Sequence, residues 1–140
     1  MYVCELTKRR YRGKKPKEIR GPDDVVALVS RKIRRDPREH FLVLLLNARH
    51  EAMAVETISI GSLNASIVHV REVFRPAIVN SAASIVVAHT HPSGSPEPSE
   101  EDVTISKRLV DAGTLLGMEV LDHVILASRG VVSMRARQML

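Results

Sequence analysis

The stretch ASIVVAHTHPSGSPEPSEED, residues 83–102, decides how this chain folds and where its chemistry lies. Its first six residues are apolar and rich in β-branched side chains, and read as a strand. Side chains two apart on an extended segment share a face, so His89 and His91 can aim two imidazoles at one point. Pro92 biases His91 toward an extended backbone. A Pro/Gly/Ser loop follows, and Ser99-Glu100-Glu101-Asp102 opens a helical pattern. Asp102, eleven residues after His91, is a candidate third ligand. Three protein ligands plus an open position for water is the catalytic arrangement of zinc, whereas structural sites are closed by four. The same residues also have plainer readings. Ser99 with Asp102 resembles an ordinary capping box, and a lone His-x-His is common in strands.

Working outward, the chain reads as an α/β (α+β) mixture. Residues 2–12 suggest a strand, followed by a Gly/Lys/Pro linker. Pro22-Asp23-Asp24 starts a helix, with proline and acids in its first turn and Val25, Leu28, Val29 and Ile33 as its apolar stripe. Residues 41–47 read as a strand whose first six residues are all apolar, as in a central strand covered on both faces. A turn at 48–51 returns the chain as a second strand over 52–60, an expected antiparallel hairpin. A helix is expected over 64–80, bent at Pro76. The helix after Ser99 carries Ile105, Leu109, Ala112 and Leu116 inward and stops at Gly117. Residues 119–127 and 131–134 form a final hairpin. Asp122 and His123, within it, read as a structural pair, and His40 and His50 as surface residues.

Composition sets the class. With 140 residues, 44% of them hydrophobic and 26% charged, the chain is expected to fold as one soluble domain, 1–140, with a basic segment at 1–21. Its apolar runs are too short to span a bilayer, and residues 1–20 carry no signal-peptide core. The single Cys4 cannot form an internal disulfide and fits a reducing cytoplasm. Residues 1–38 hold 13 Lys/Arg against 5 Asp/Glu, a local charge of +8, while the remainder carries −3. Such a patch suits nucleic-acid phosphates, but an acidic protein partner or a solvated edge explains it equally. The oligomeric state stays open, a homodimer included.

One residue breaks the pattern. Ala54, Glu56, Ile58 and Ile60 share a face by alternation, which puts a carboxylate on the expected core side. Burying it unpaired is expensive, so it should have a partner or a task. It reads as an edge-strand charge, as half of an ion pair, or as a general base beside a metal-activated water. Glu51 and Glu72 compete for the last role, and Glu56 is preferred because Glu51 lies in a turn and Glu72 on a helix with an apolar inner face.

Glu56, His89-Thr90-His91-Pro92, Ser99 and Asp102 together resemble the JAMM motif of the JAB/MPN metalloproteases, Glu…His-x-His-x(7)-Ser-x-x-Asp. Val70-Arg71-Glu72-Val73-Phe74, His91-Pro92-Ser93-Gly94 and Leu121-Asp122-His123 are similar to segments of the bacterial RadC branch. The resemblance covers roughly residues 22–134. It implies a cytidine-deaminase-like JAB/MPN architecture, a mixed, largely antiparallel sheet flanked by helices. It also implies one zinc per chain on His89, His91 and Asp102, with Glu56 as base and Ser99 as hydrogen-bond donor to the oxyanion. The N-terminal helix-hairpin-helix region of longer RadC proteins has no counterpart in this sequence, which reads as a stand-alone domain.

Two functions of different class follow. The first is a zinc hydrolase acting on a peptide or protein substrate as a metallopeptidase or isopeptidase. The second is a RadC-type module of DNA repair or recombination with little catalysis, assembling on nucleic acid or a nucleoprotein through its basic third. A salt titration separates them. With only Tyr2 and Tyr11 to stack on bases in that third, any nucleic-acid binding is expected to be weak and sequence-independent. Tight binding at physiological salt that is lost on replacing Arg9, Arg10, Lys14 and Lys15 by Ala, with a flattened salt slope, would favour the second class.

Overall fold

The run HFLVLLL forms β1 (His40–Leu46), and every residue of it is buried. A strand with no polar face must be covered on both sides, and the computed structural model, which describes residues 17–33, 36–61 and 68–140, shows how. Phe41, Val43 and Leu45 pack on one side against α2 (Val70–Val79) and α3 (Glu100–Leu116), through Val73, Phe74, Ala77, Ile105 and Leu109. Leu42, Leu44 and Leu46 pack on the other side against Val25 and Val29 of α1 (Pro22–Ile33). Period two in the strand meets period 3.6 in three helices, and the result is a helix–sheet–helix sandwich.

The sheet has five strands in the order β2-β1-β3-β4-β5, with β2 at Ala52–Ile60, β3 at Ser84–His91, β4 at Glu119–Ala127 and β5 at Gly130–Ser133. Three of its pairings are antiparallel, and β3–β4 is parallel. A parallel pair needs a long crossover, and α3 supplies it, so the β3–loop–α3 unit is fixed at both ends by the sheet. The mixed, largely antiparallel sheet with flanking helices agrees with the expectation. So do the β1–β2 hairpin and the stop at Gly117, whose φ is +66°. The strand expected over 2–12, Cys4, the basic residues to 16 and the start of the helix expected from 64 fall outside the described residues.

Two expectations need correction. His40 is buried rather than on the surface, because β1 is central from its first residue, and its Nε2 lies 3.2 Å from Asp36. Glu56 stands on the expected face, opposite Val43, yet its side chain is exposed. β2 is an edge strand with two irregularities in its pairing to β1, and no residue of it is fully buried. Alternation there marks a face without guaranteeing a cover.

The close approach of α3 to its own return strand depends on Gly113. A Cβ there would stand 2.4 Å from the Met118 carbonyl oxygen and 3.2 Å from Val120. Backbone cannot move aside as a side-chain tip can. Gly113→Ala is therefore expected to lower stability by about 1–3 kcal/mol despite the better helix former, as overpacked sites do. Thermal denaturation measures this, and an unchanged or raised Tm would refute the tight approach.

Candidate metal centre

β3 ends at the rim of the sheet with His89 and His91 on one face. Phe41 is the strand partner of His89, and its ring lies nearly parallel to the imidazole with centroids 6.0 Å apart. His89 is fully buried, and His91 is partly open. Their Nε2 atoms are 2.8 Å apart. Asp102 reaches back from the first turn of α3, placing Oδ1 3.1 Å from His89 Nε2 and Oδ2 3.2 Å from His91 Nε2. Two imidazole nitrogens and both oxygens of one carboxylate thus converge from two elements.

The donor set fits a metal ion. Ligand atoms held at ordinary zinc distances stand about 3.3 Å apart in a tetrahedron, close to the 3.1 and 3.2 Å between the imidazoles and the Asp102 oxygens and somewhat above the 2.8 Å between the two Nε2 atoms. The orientation of His91 is set by its other nitrogen, Nδ1, which lies 2.8 Å from the Ser95 carbonyl oxygen. A carbonyl only accepts, so Nδ1 carries the proton and the Nε2 lone pair faces the centre. Burial alone would raise the Asp102 carboxyl. A protonated His89, by hydrogen bond and charge, together with the Ser99 amide, outweighs that and holds it well below the usual range. His123 lies behind His89, fully buried, and its pKa is pushed well below normal by burial first and then by the charge His89 carries when protonated. It is neutral.

Ser99 is the N-cap of α3. Its Oγ accepts from the Asp102 amide at 3.1 Å, and its own amide donates to Asp102 Oδ2 at 2.8 Å. This is the plain capping box, and it also fixes the carboxylate that meets the histidines. The loop over residues 92–99 is pinned elsewhere too. Gly94, at φ +87°, turns its carbonyl to the Arg129 amide and Nε, both at 3.1 Å, and a Cβ there would meet Ser128 Oγ at 2.7 Å. Glu97 accepts two hydrogen bonds from Arg137, at 2.6 and 3.0 Å.

Glu56 is not brought to this centre. It pairs with Val43, which pairs with Val87, so Glu56 lies two strands across and two residues along from His89, about 12 Å away on ordinary sheet spacings. It lines a separate cleft with Glu72 and Arg75. Glu51 accepts from Asn47 Nδ2 at 2.7 Å and closes the hairpin turn. Glu39 is the carboxylate the structure brings in. Its oxygen and one nitrogen each of His89 and His91 all lie within 4.8 Å of one another. The pairing of Phe41 with His89 explains this, because continuing that antiparallel register sets Glu39 opposite His91. Together with Ser99 and Asp102 it lines a cleft of about 430 Å³.

The RadC-like JAB domain model matches residues 19–139. The chain belongs to this family. A UPF0758 protein of Alkaliphilus metalliredigens is 52% identical over 122 residues, 87% of this chain and 53% of that protein. One from Desulforamulus reducens is 50% identical over 119 residues, 85% and 52% of the two chains. One from Methanosarcina mazei is 42% identical over 135 residues, 95% and 59%. The chain thus spans just over half the length of these relatives. Among its described residues, no helix is long and apolar enough to cross a membrane.

Sequence reasoning passed over Glu39 and gave His123 a different partner. Asp122 does have a structural role, accepting from Ser133 Oγ, the His123 amide and the Arg135 amide. The His123 ring turns away from it toward His89. Because Ser99 caps α3, Ser99→Ala is expected to cost about 1 kcal/mol and Ser99→Asn to restore most of it. Denaturant titration of the three proteins checks this. Equal stability of Ser99→Ala and the parent would show that the cap is idle.

Proposed function

We propose that this domain is a zinc-dependent hydrolase of peptide or isopeptide bonds, holding one zinc through His89, His91 and Asp102. The observation that carries the reading is the convergence of those three donor sets at 2.8–3.2 Å, with the Glu39 carboxylate beside both imidazoles. Zinc bound there supplies an acidified water, with a pKa near 7, and Lewis-acid polarisation of a carbonyl oxygen. Glu39 takes the role that the sequence pattern gave to Glu56. Its carboxylate accepts the proton of the attacking water as the carbon–oxygen bond forms. It then passes that proton to the amine as the carbon–nitrogen bond breaks. Ser99 Oγ already accepts from the Asp102 amide, so its own proton is available to the developing oxyanion.

A peptide substrate is supported by the surroundings. A second cavity of about 510 Å³ lies across His91 and Pro92, walled by Val26, Ile33, Leu126 and Val131. An apolar wall beside a polar reacting centre suits a polypeptide flanking the scissile bond.

His91→Ala is expected to abolish stoichiometric zinc in the purified protein, as measured by metal analysis. Glu39→Gln should keep zinc and lose activity by roughly 10²–10⁴-fold on a peptide or isopeptide library, the range for a removed general base. Glu56→Gln should keep both. A loss of activity in Glu56→Gln with Glu39→Gln unaffected would return the base to Glu56, and zinc retained by His91→Ala would refute the ligand set.

A further inference from the structure

His91 takes its orientation from a backbone carbonyl, but His89 does not. Its Nδ1 lies 2.7 Å from His123 Nε2. The other nitrogen of His123, Nδ1, lies 2.6 Å from Ser106 Oγ, and Ser106 Oγ lies 2.6 Å from the Asp102 carbonyl oxygen. Both Ser106 and His123 are fully buried. A chain of short contacts therefore links the side chain of one proposed ligand to the backbone of another.

The protons in this chain are fixed by counting donors. A hydroxyl and a carbonyl oxygen 2.6 Å apart repel unless a proton lies between them, and the carbonyl has none to give. Ser106 must therefore donate to Asp102, one turn back on α3. Its single proton is then used, and Met134 Sδ at 3.4 Å is too weak an acceptor to divert it. His123 Nδ1 can then meet Ser106 Oγ only as a donor. A neutral imidazole has one N–H, so His123 Nε2 is a bare lone pair and His89 Nδ1–H donates to it. The lone pair of His89 is left on Nε2, facing His91 and Asp102.

We infer that Ser106 and His123 are positioning residues that dictate the metal-binding tautomer of His89 from the backbone of α3. The inference rests on the metal-centre reading above. Neither residue lines the cleft that Glu39, Ser99 and Asp102 share. Each acts by making the alternative tautomer of His89 leave a buried donor without a partner, which is costly. The helix that delivers Asp102 thus also sets the proton on the opposite ligand, so a correctly seated α3 is a condition for both.

The test uses the full chain, labelled with ¹⁵N-histidine and stripped of metal, at pH 8.5. Two-bond ¹H–¹⁵N correlations are expected to show His89 and His123 both protonated at Nδ1. Ser106→Ala, a substitution that a helix interior accepts, removes the acceptor for His123 Nδ1–H. Both rings should then shift toward the Nε2–H form while His91 stays as it was. Zinc affinity, measured by competition with a chromophoric chelator, should fall about 10–100-fold, the usual effect of losing such a support. His123→Gln retains an acceptor for His89 Nδ1–H and should recover much of the affinity, whereas His123→Leu should not. A wild-type His89 protonated at Nε2, or undiminished zinc affinity in Ser106→Ala and His123→Leu, overturns the inference. Expected tautomers in a wild type that binds no zinc would instead overturn the metal-centre reading and leave the relay standing.

Discussion

The register between β1 and β3 is the constraint on which the site depends. Pairing Phe41 with His89 covers the buried imidazole with an aromatic ring and leaves Glu39 opposite His91 at the rim. A slip of one residue would turn Leu42, Leu44 and Leu46 toward α2 and α3 and carry Glu39 to the wrong face. That slip is opposed by the apolar contacts on both sides of β1, where each face has its own helix partner. The core therefore specifies the chemistry, since the same packing that buries β1 selects which acid meets the histidines.

The second constraint is the carboxylate of Asp102. It serves as helix cap and meets both imidazoles, two demands that pull on one short side chain. They are compatible because a cap carboxylate at the third helical position turns back over the N-terminus of α3, where the two histidines end their strand. Taking that charge out of water is unfavourable, and the hydrogen bond from the Ser99 amide to Oδ2 offsets part of the cost.

Much of this was legible in the sequence. The all-apolar β1, the His-x-His spacing at a strand end, the cap at Ser99 and the glycine stop of α3 each follow from local rules, and they are where expected. Glu56 and Glu39 mark the boundary of such reasoning. Alternation identified the face of Glu56 correctly, but nothing local says that β2 is an edge strand beside a cleft. Glu39 sits just before a strand and looks like any polar flank. Its importance lies in a partner fifty-two residues away, which only the β1–β3 register reveals. Ser106 had a local signal, as a polar residue one turn after Asp102 beside the apolar stripe of Ile105 and Leu109.

The fastening of the loop between β3 and α3 has a thermodynamic consequence. Eight residues, 92–99, separate the histidine strand from the aspartate helix. They are held by the Ser95 carbonyl, by Arg129 at Gly94, by Arg137 at Glu97 and by the cap at Ser99. Ordering eight backbone residues costs on the order of 10 kcal/mol in chain entropy. Here folding of the domain meets that cost before any guest arrives, so association begins from a preorganised cradle and little of its free energy is spent on ordering the chain.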